Sequence, residues 1–392
     1  MHYMERSKYR EVYETLLQEM RSGKYKNRRD FPSDVALTRR FHCSAQPVKR
    51  AMEQLQRDGF VVRCQGQGTF TTALARNASG KIGVIVHAPH DVLSGTFVAR
   101  ICDALTRVGR RNDYQVIIGK LTASSPVECA RQMQQKAREF SNADVEAVVL
   151  QPVHLIPDAQ AVSRNIVAVL SSHGIPVVLF DFDIEKPPSR SPLDVVGIDN
   201  TNVGYRLGNH LIDVGAKNIH FLMRPNWAST VCKRLRGVAS AVWERLGTWS
   251  RDNVLEAEPD DVAALKRHIK RCGRRPPDAF VCGNDSAAVQ LLEGLKSIGL
   301  SVPADIMLAG FDDDCHATSC RPMLTTIRQP YDELGEILFR TTMERIRHPK
   351  DPPREITLDA PLVVRESTVR KRKTGGNDDL WERKSHSAET SS

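Results

Sequence analysis

The 392-residue sequence predicts an α/β protein in which an N-terminal winged helix–turn–helix precedes a two-lobed body built on parallel sheets. Three observations carry this. Between Phe31 and Phe70 a cap, helix, turn, helix and glycine-rich hairpin follow one another in order. From Lys81 onward, near-continuously apolar strands alternate with amphipathic helices, and the pattern restarts once, as expected of two sheets covered on both faces. Charge is uneven: residues 1–70 hold 14 Lys and Arg against 8 Asp and Glu, whereas residues 71–369 hold 36 against 35. A basic head on a neutral body is the footprint of a phosphate-binding module.

The first helix is read at 9–22, with Tyr9, Val12, Tyr13, Leu16, Leu17 and Met20 on one face. Pro32 and Ser33 then start a second helix whose apolar stripe is Val35, Ala36, Leu37 and Phe41. His42-Cys43 form a turn, and Ser44 is placed to cap a third helix carrying Val48, Ala51, Met52 and Leu55 at helical spacing. Pro47 falls in its first turn, where a missing N–H costs little, and Asp58-Gly59 ends it. Phe60–Arg63 and Gly68–Phe70 read as two strands joined by a tight turn at Gly66. The N-terminal end of the third helix is then the part that enters a major groove. The glycine-rich wing tip can approach DNA closely because no Cβ obstructs it. The expected DNA-binding set is Arg39, Arg40, Ser44, Gln46, Lys49, Arg50, Arg63, Gln65, Gly66 and Gln67. A small helical domain with a solvated basic face would explain the charges but not the order of the elements.

Tyr9 through Phe70 resembles the GntR-type winged helix, with its Tyr-rich first helix, then SGKY, FPSDVALTRRF, the recognition helix and the QGQGTF wing. Lys26–Asp30 replaces the usual Pro-Gly turn, and Val35 and Ala45 stand where relatives commonly carry DNA-touching arginines. The resemblance therefore implies the binding mode and not the base preference.

Composition bounds the rest. Hydrophobic content of 41% and charged content of 26% are ordinary for a soluble globular protein. There is no apolar run of about 18 residues to span a bilayer. MHYMERSKYR lacks the apolar core of a secretion signal, so a cytoplasmic setting is expected. Nine cysteines without a C-x-x-C pair predict neither zinc nor disulfides. Cys315, His316 and Cys320 come nearest to a ligand set without tetrahedral spacing. No metal, cofactor or catalytic residue is expected. His90 and Asp91 have no nucleophile motif beside them, which disfavours a hydrolase.

The domain reading is 1–72 winged helix, 73–80 linker, 81–369 body and 370–392 a basic, disordered tail in which Lys371-Arg372-Lys373 stand out. Within the body, strands are expected at KIGVIVHA, YQVIIGK, VEAVVLQP, IPVVLFDFDI and DVVGIDN, then at NIHFL, DAFVC and IMLAGFDD. Helices fall between them, including 127–141, 158–173, 201–215, 234–246 and 285–298. Ligands bind at the carboxyl ends of such strands.

Residues 81–369 resemble the effector domain of the lactose-repressor (LacI) family, related in fold to type I periplasmic sugar-binding proteins. The resemblance rests on IPVVLFD, VVGIDNTNVGYRLGNHLIDVGAKNIHFL, CKRLRGV, DAFVCGNDSAAVQLLEGLKSIGLSVPADIMLAGFDDD and RPMLTTIRQPYDELG. It implies that Arg234 and Asp285 hold sugar hydroxyls, with Asp181, Gln329 and Tyr331 as further candidates and with Phe97 either stacking on a sugar ring or packing in the core. Asp285 is also placed to be a helix N-cap. The implied function is a DNA-binding regulator, a repressor, working as a homodimer on a pseudo-palindromic operator under control of a small effector, a sugar. The rival reading is a sugar-binding transport or sensor protein. It is disfavoured by the fused head and the missing signal segment.

Overall fold

The computed structural model describes residues 8–21, 24–25, 31–64, 68–71, 80–87, 95–123, 125–186 and 188–370. The expected linker, apart from Gly80, and the tail after Arg370 lie outside the described residues, as do the 26–30 turn, Gln65–Gln67, His90 and Asp91.

The head has three helices, α1 (Lys8–Arg21), α2 (Asp34–Arg40) and α3 (Ala45–Arg57), and an antiparallel hairpin of β1 (Val61–Cys64) and β2 (Gly68–Thr71). Of the expected core, Val12, Leu16, Leu37, Val48, Ala51, Met52 and Leu55 are fully buried, whereas Val35 and Ala36, read as part of the α2 stripe, are exposed because only the Leu37 and Phe41 side of this short helix faces the core. Ser33 Oγ caps α2 by accepting from Ala36 N at 3.3 Å. Ser44 occupies the N-cap position of α3, yet its side chain makes no capping bond. The hydroxyl stays exposed instead. Gly59, with φ of +75°, turns the chain from α3 into the wing, a conformation that other L-residues adopt only with strain.

Lobe 1 runs β3 (Lys81–His87), α4 (Phe97–Arg111), β4 (Gln115–Leu121), α5 (Pro126–Asn142), β5 (Ala147–Leu150), α6 (Ala159–Ser172), β6 (Val177–Phe180) and β7 (Asp194–Ile198). Lobe 2 runs α7 (Asn200–Asp213), β8 (Ile219–Met223), α8 (Ser229–Leu246), β9 (Val254–Glu256), α9 (Val262–Arg271), β10 (Ala279–Cys282), α10 (Asp285–Ser297), β11 (Met307–Ala309), α11 (Cys315–Ser319) and β12 (Thr326–Ile327). The chain then returns: α12 (Tyr331–Arg347) packs on α4, and β13 (Glu355–Leu358) adds to the lobe 1 sheet beside β7. β14 (Leu362–Val363) goes back to pair antiparallel with β12. The sheet orders are β13-β7-β6-β5-β3-β4 and β11-β10-β8-β9, parallel throughout.

Among the described residues, β9, α9, α11, β12 and α12 have no counterpart in the sequence reading. β9 is only three residues long, and α9 follows it with a short, strongly charged sequence, VAALKRHIKR. The helix read from residue 234 begins earlier, at Ser229.

Two contacts set the geometry of the cleft. A Cβ on Gly204 would lie 2.2 Å from the Arg234 carbonyl, and one on Gly237 would lie 2.1 Å from the Thr201 carbonyl, so α7 and α8 meet backbone to backbone. That close approach fixes the helix that carries Arg234. The return of α12 and β13 is locked by Asp194, fully buried at the start of β7, which accepts from Arg345 Nε at 2.9 Å and Arg354 N at 2.8 Å. Burial pushes its carboxyl pKa up, but the bonds from Arg345 and Arg354 outweigh it and hold the group below the ordinary carboxylate range.

Candidate effector cleft and nucleic-acid interface

Between the lobes, at the carboxyl ends of the strands, lies a cavity of about 270 Å³. Lobe 1 contributes His87 from the end of β3, Phe97 from the start of α4, Gln151 after β5 and Asp181 after β6. Lobe 2 contributes Trp227 ahead of α8, Arg234 within it, Gly283 and Asn284 after β10, and Asp312 and Asp314 after β11.

Arg234 anchors the site. It is 4% exposed, donates from Nε to Asn200 Oδ1 at 2.7 Å and from Nη1 to the Gly283 carbonyl at 2.7 Å, and its Nη2 lies 3.4 Å from Asp312 Oδ1. Its guanidinium sits 4.7 Å from the centre of the Phe311 ring. Three of its five N–H groups are thereby engaged, so the head is oriented before any guest arrives. Asp312 also accepts from Gln329 Nε2 at 3.1 Å. Burial pushes its pKa up to about 7, with Arg234 opposing the rise. Asp181 is held at a φ of +75°, strain of the kind that collects at functional sites. Its carboxyl pKa is likewise raised by burial and lowered in part by Arg234. Gln151 is 3% exposed and, among the described residues, its buried Oε1 acceptor has no hydrogen-bond partner. His87 and His154 on the same wall are kept neutral by burial, His154 with a pKa lowered to about 4. Phe97 stacks on Phe180 at 5.4 Å between ring centres.

The sequence-derived effector set separates into two layers. Phe97, Asp181 and Arg234 line the cavity, while Asp285 and Gln329 are not among its lining residues. Asp285 is fully buried and accepts from Thr326 Oγ1 at 2.7 Å and from Asp314 N at 3.2 Å. The N-cap of α10 is Asn284, whose Oδ1 accepts from Ala287 N at 2.9 Å, and not Asp285. Asp285 and Gln329 thus brace the Asp312–Asp314 segment from behind. The reading missed Asp312, Gln151, Asn200 and Trp227. The signal available for Asp312 was the acidic run just after β11, since a strand's carboxyl end is where ligands bind.

In the head, Arg39, Ser44, Gln46, Lys49 and Arg50 are exposed. Two expected DNA contacts are already occupied. Arg40 bridges α2 to α1 by donating to Glu19 and, at 3.2 Å, to Tyr25 Oη. Burial pushes the Glu19 pKa up, but the bonds from Arg40, Lys24 and Tyr25 overcome this and hold it at about 2. Arg63 donates to both oxygens of Asp34, at 2.8 and 3.0 Å, tying the wing to α2. Arg50 lies over the Tyr9 ring at 4.9 Å. Val35, on the same helix as Arg39, is 63% exposed.

Residues 8–71 match the bacterial regulatory proteins of the gntR family, and residues 209–368 match the periplasmic binding protein-like domain. The chain thus joins a gntR-type helix–turn–helix segment to a periplasmic-binding-protein-like domain, the make-up of a DNA-binding transcriptional regulator. The regulator is 27% identical over 375 residues to the arabinose metabolism transcriptional repressor of Geobacillus stearothermophilus, covering 92% of this chain and 97% of that protein. It is 31% identical over 198 residues to the HTH-type transcriptional repressor PurR of Escherichia coli O1:K1 / APEC, covering 50% of this chain and 57% of PurR. In structure it is similar to the transcriptional regulator CelR in its cellobiose complex, with a TM-score of 0.62 and 21% identity over 82% of this chain and 90% of that one. It is also similar to the transcription regulator CcpA of Lactococcus lactis, with a TM-score of 0.60 and 22% identity over 74% of this chain and 99% of that one. At those identities the structural likenesses show the fold. Among the described residues no helix is long and apolar enough to cross a membrane.

Proposed function

We propose that the regulator is a cytoplasmic homodimeric repressor that leaves a pseudo-palindromic operator when a single-ring sugar fills the interlobe cavity. The observation that carries the effector class is the buried Arg234–Asp312 pair, oriented by Asn200, Gly283 and Gln329, opposite the unpartnered acceptor of Gln151. Fixed donors and acceptors converging on one small cavity suit the paired hydroxyls of a sugar ring, and Phe97 offers an apolar face beside them. At about 270 Å³ the cavity falls below the range of roughly 300–1,000 Å³ typical of larger ligands, which favours a monosaccharide. The name of the Geobacillus relative points to a pentose. Cys315 N donates to the Gly95 carbonyl at 3.1 Å and Arg100 Nη1 to the Asp313 carbonyl at 2.9 Å, so the lobes already touch across the cleft. A ligand that alters this contact alters the spacing of the two heads, and affinity for DNA and for ligand become reciprocally coupled.

Calorimetry against pentoses, hexoses and disaccharides tests the reading. Binding of at least one monosaccharide, lost in Arg234→Ala, is expected. A full panel without a binder would remove the sugar assignment.

A further inference from the structure

A second group of ligand-type side chains lies in lobe 2, outside the cleft. His220 is the second residue of β8, remote along that strand from its cleft end, and His268 and Cys272 are one turn apart at the end of α9. Both imidazoles are buried, 2% and 4% exposed, with His220 Nδ1 and His268 Nε2 facing each other at 2.7 Å. Ligand atoms of the two histidines and the Cys272 sulfur all fall within 4.8 Å of one another.

We propose that His220, His268 and Cys272 form a zinc site that staples β8 to the end of α9, with solvent as the fourth ligand. Asn218 Nδ2 donates to the Arg275 and Pro276 carbonyls at 2.6 and 3.0 Å, which turns its Oδ1 towards His220 Nε2 at 3.1 Å. That oxygen only accepts, so Nε2 carries the ring proton and Nδ1 presents a lone pair to the cluster. A second carbonyl-type oxygen orienting a ligand imidazole in this way is the usual outer support of a metal-bound histidine.

A hydrogen-bonded pair of histidines needs no thiol, yet Cys272 stands beside it, its S–H donating to the His268 carbonyl 3.2 Å away. Two imidazoles and one thiolate, with no carboxylate among the three, suit zinc over magnesium or calcium.

Tetrahedral ligands at Zn–N of about 2.0–2.1 Å and Zn–S of about 2.3 Å lie roughly 3.3–3.7 Å apart. The ring nitrogens therefore need to part by about half an ångström from 2.7 Å while the sulfur closes in. On binding, the Cys272 S–H bond breaks, the S–Zn bond forms and one proton leaves to solvent. The His268 ring proton moves from Nε2 to Nδ1. Arg271, whose Nη2 now donates to that Nδ1 at 3.3 Å, turns away towards Asp252, already 3.8 Å from its Nε. Its side chain is 57% exposed, so the turn is unobstructed on the solvent side. Cys272 is half-buried, which leaves the fourth position open to water.

The test uses full-length protein stripped with chelator, then titrated with Zn²⁺ and, separately, with Co²⁺. One tight zinc equivalent per chain, a thiolate-to-cobalt charge-transfer band and a raised melting temperature are expected. Cys272→Ser, close in shape and half-buried, should lose the band and bind zinc at least tenfold more weakly. Asn218→Ala should weaken binding about 10–100-fold through loss of the outer support. His268→Gln serves as a second ligand variant should the serine variant melt early without metal. An absent cobalt band in wild type, or equal zinc affinity in wild type and both ligand variants, overturns the site and leaves a hydrogen-bond relay.

Discussion

Arg234 and Asp312 share one cavity wall but contribute differently. Arg234 is oriented by three partners, so shortening it leaves the Asp312 carboxylate buried without its counter-charge. Arg234→Ala is expected to weaken effector binding by at least tenfold, on the scale of about 1–3 kcal/mol for a lost buried partner. Calorimetry of the folded variant checks it. Asp312 gives a pH signature. Its folded pKa of about 7 lies above the ordinary value of 3.8, so the folded state binds its proton more tightly than the unfolded state does. Its contribution to stability is therefore full below the unfolded pKa and is lost as pH rises from about 4 to about 7. Buried neutral histidines such as His154 act in the opposite direction, so the informative quantity is the difference between variants. Asp312→Asn should gain in melting temperature over wild type progressively from pH 4 to pH 7. A constant difference across that range would mean that Asp312 does not titrate there. At this scale the structure places Arg234 and Asp181 on the cavity wall and Asp285 behind it. The dipeptide Asn284-Asp285 contains both a cap and a buried carboxylate. Which residue does which depends on Thr326 and Asp314, about 30 to 40 positions later in the chain.

At the scale of elements, capping and periodicity were enough to find α1, α2, α3 and the wing, because each begins or ends on a residue with a local physical reason. Ser33 and Gly59 are examples. The roles of the arginines on those elements were not legible, since Arg40 and Arg63 are committed to Glu19 and Asp34, contacts that only the folded head creates. The exposed Lys49 and Arg50 on α3 should therefore contribute more to DNA affinity than Arg40. Lys49→Ala is expected to weaken binding with an unchanged melting temperature, whereas Arg40→Ala should lower the melting temperature of the head by freeing Glu19. Fluorescence anisotropy and calorimetric melts on the same samples separate the two. In lobe 2, β9 and α9 went unread because one is too short and the other too charged for apolar periodicity to register. The contact between α7 and α8 admits no side chain at Gly237, so Gly237→Ala must push backbone away from Thr201. A loss of about 1–3 kcal/mol is expected from overpacking of this kind. Denaturant melts measure it, and an unchanged midpoint would show that the helices separate freely.

Across the whole molecule the basic excess belongs to the head, 14 Lys and Arg against 8 Asp and Glu in residues 1–70, while residues 71–369 hold 36 against 35. DNA affinity should accordingly fall steeply with salt, each neutralised phosphate releasing counterions, while effector affinity should change little. The architecture of the body was legible because parallel strands buried on both faces are written as apolar runs. What composition and periodicity do not show is how α12 and β13 return to lobe 1, fixed by the Asp194–Arg345 lock between distant segments. The central claim is that a ligand held by Arg234 governs the grip of the heads on DNA. Its most direct test is anisotropy of a labelled operator, selected from random duplexes with wild-type protein, titrated with the monosaccharide that calorimetry identifies. Wild type should release the duplex as the sugar is added. Arg234→Ala should bind the duplex with wild-type affinity and keep it at sugar concentrations that empty the wild-type protein. Release by both proteins at the same sugar concentration would contradict the account.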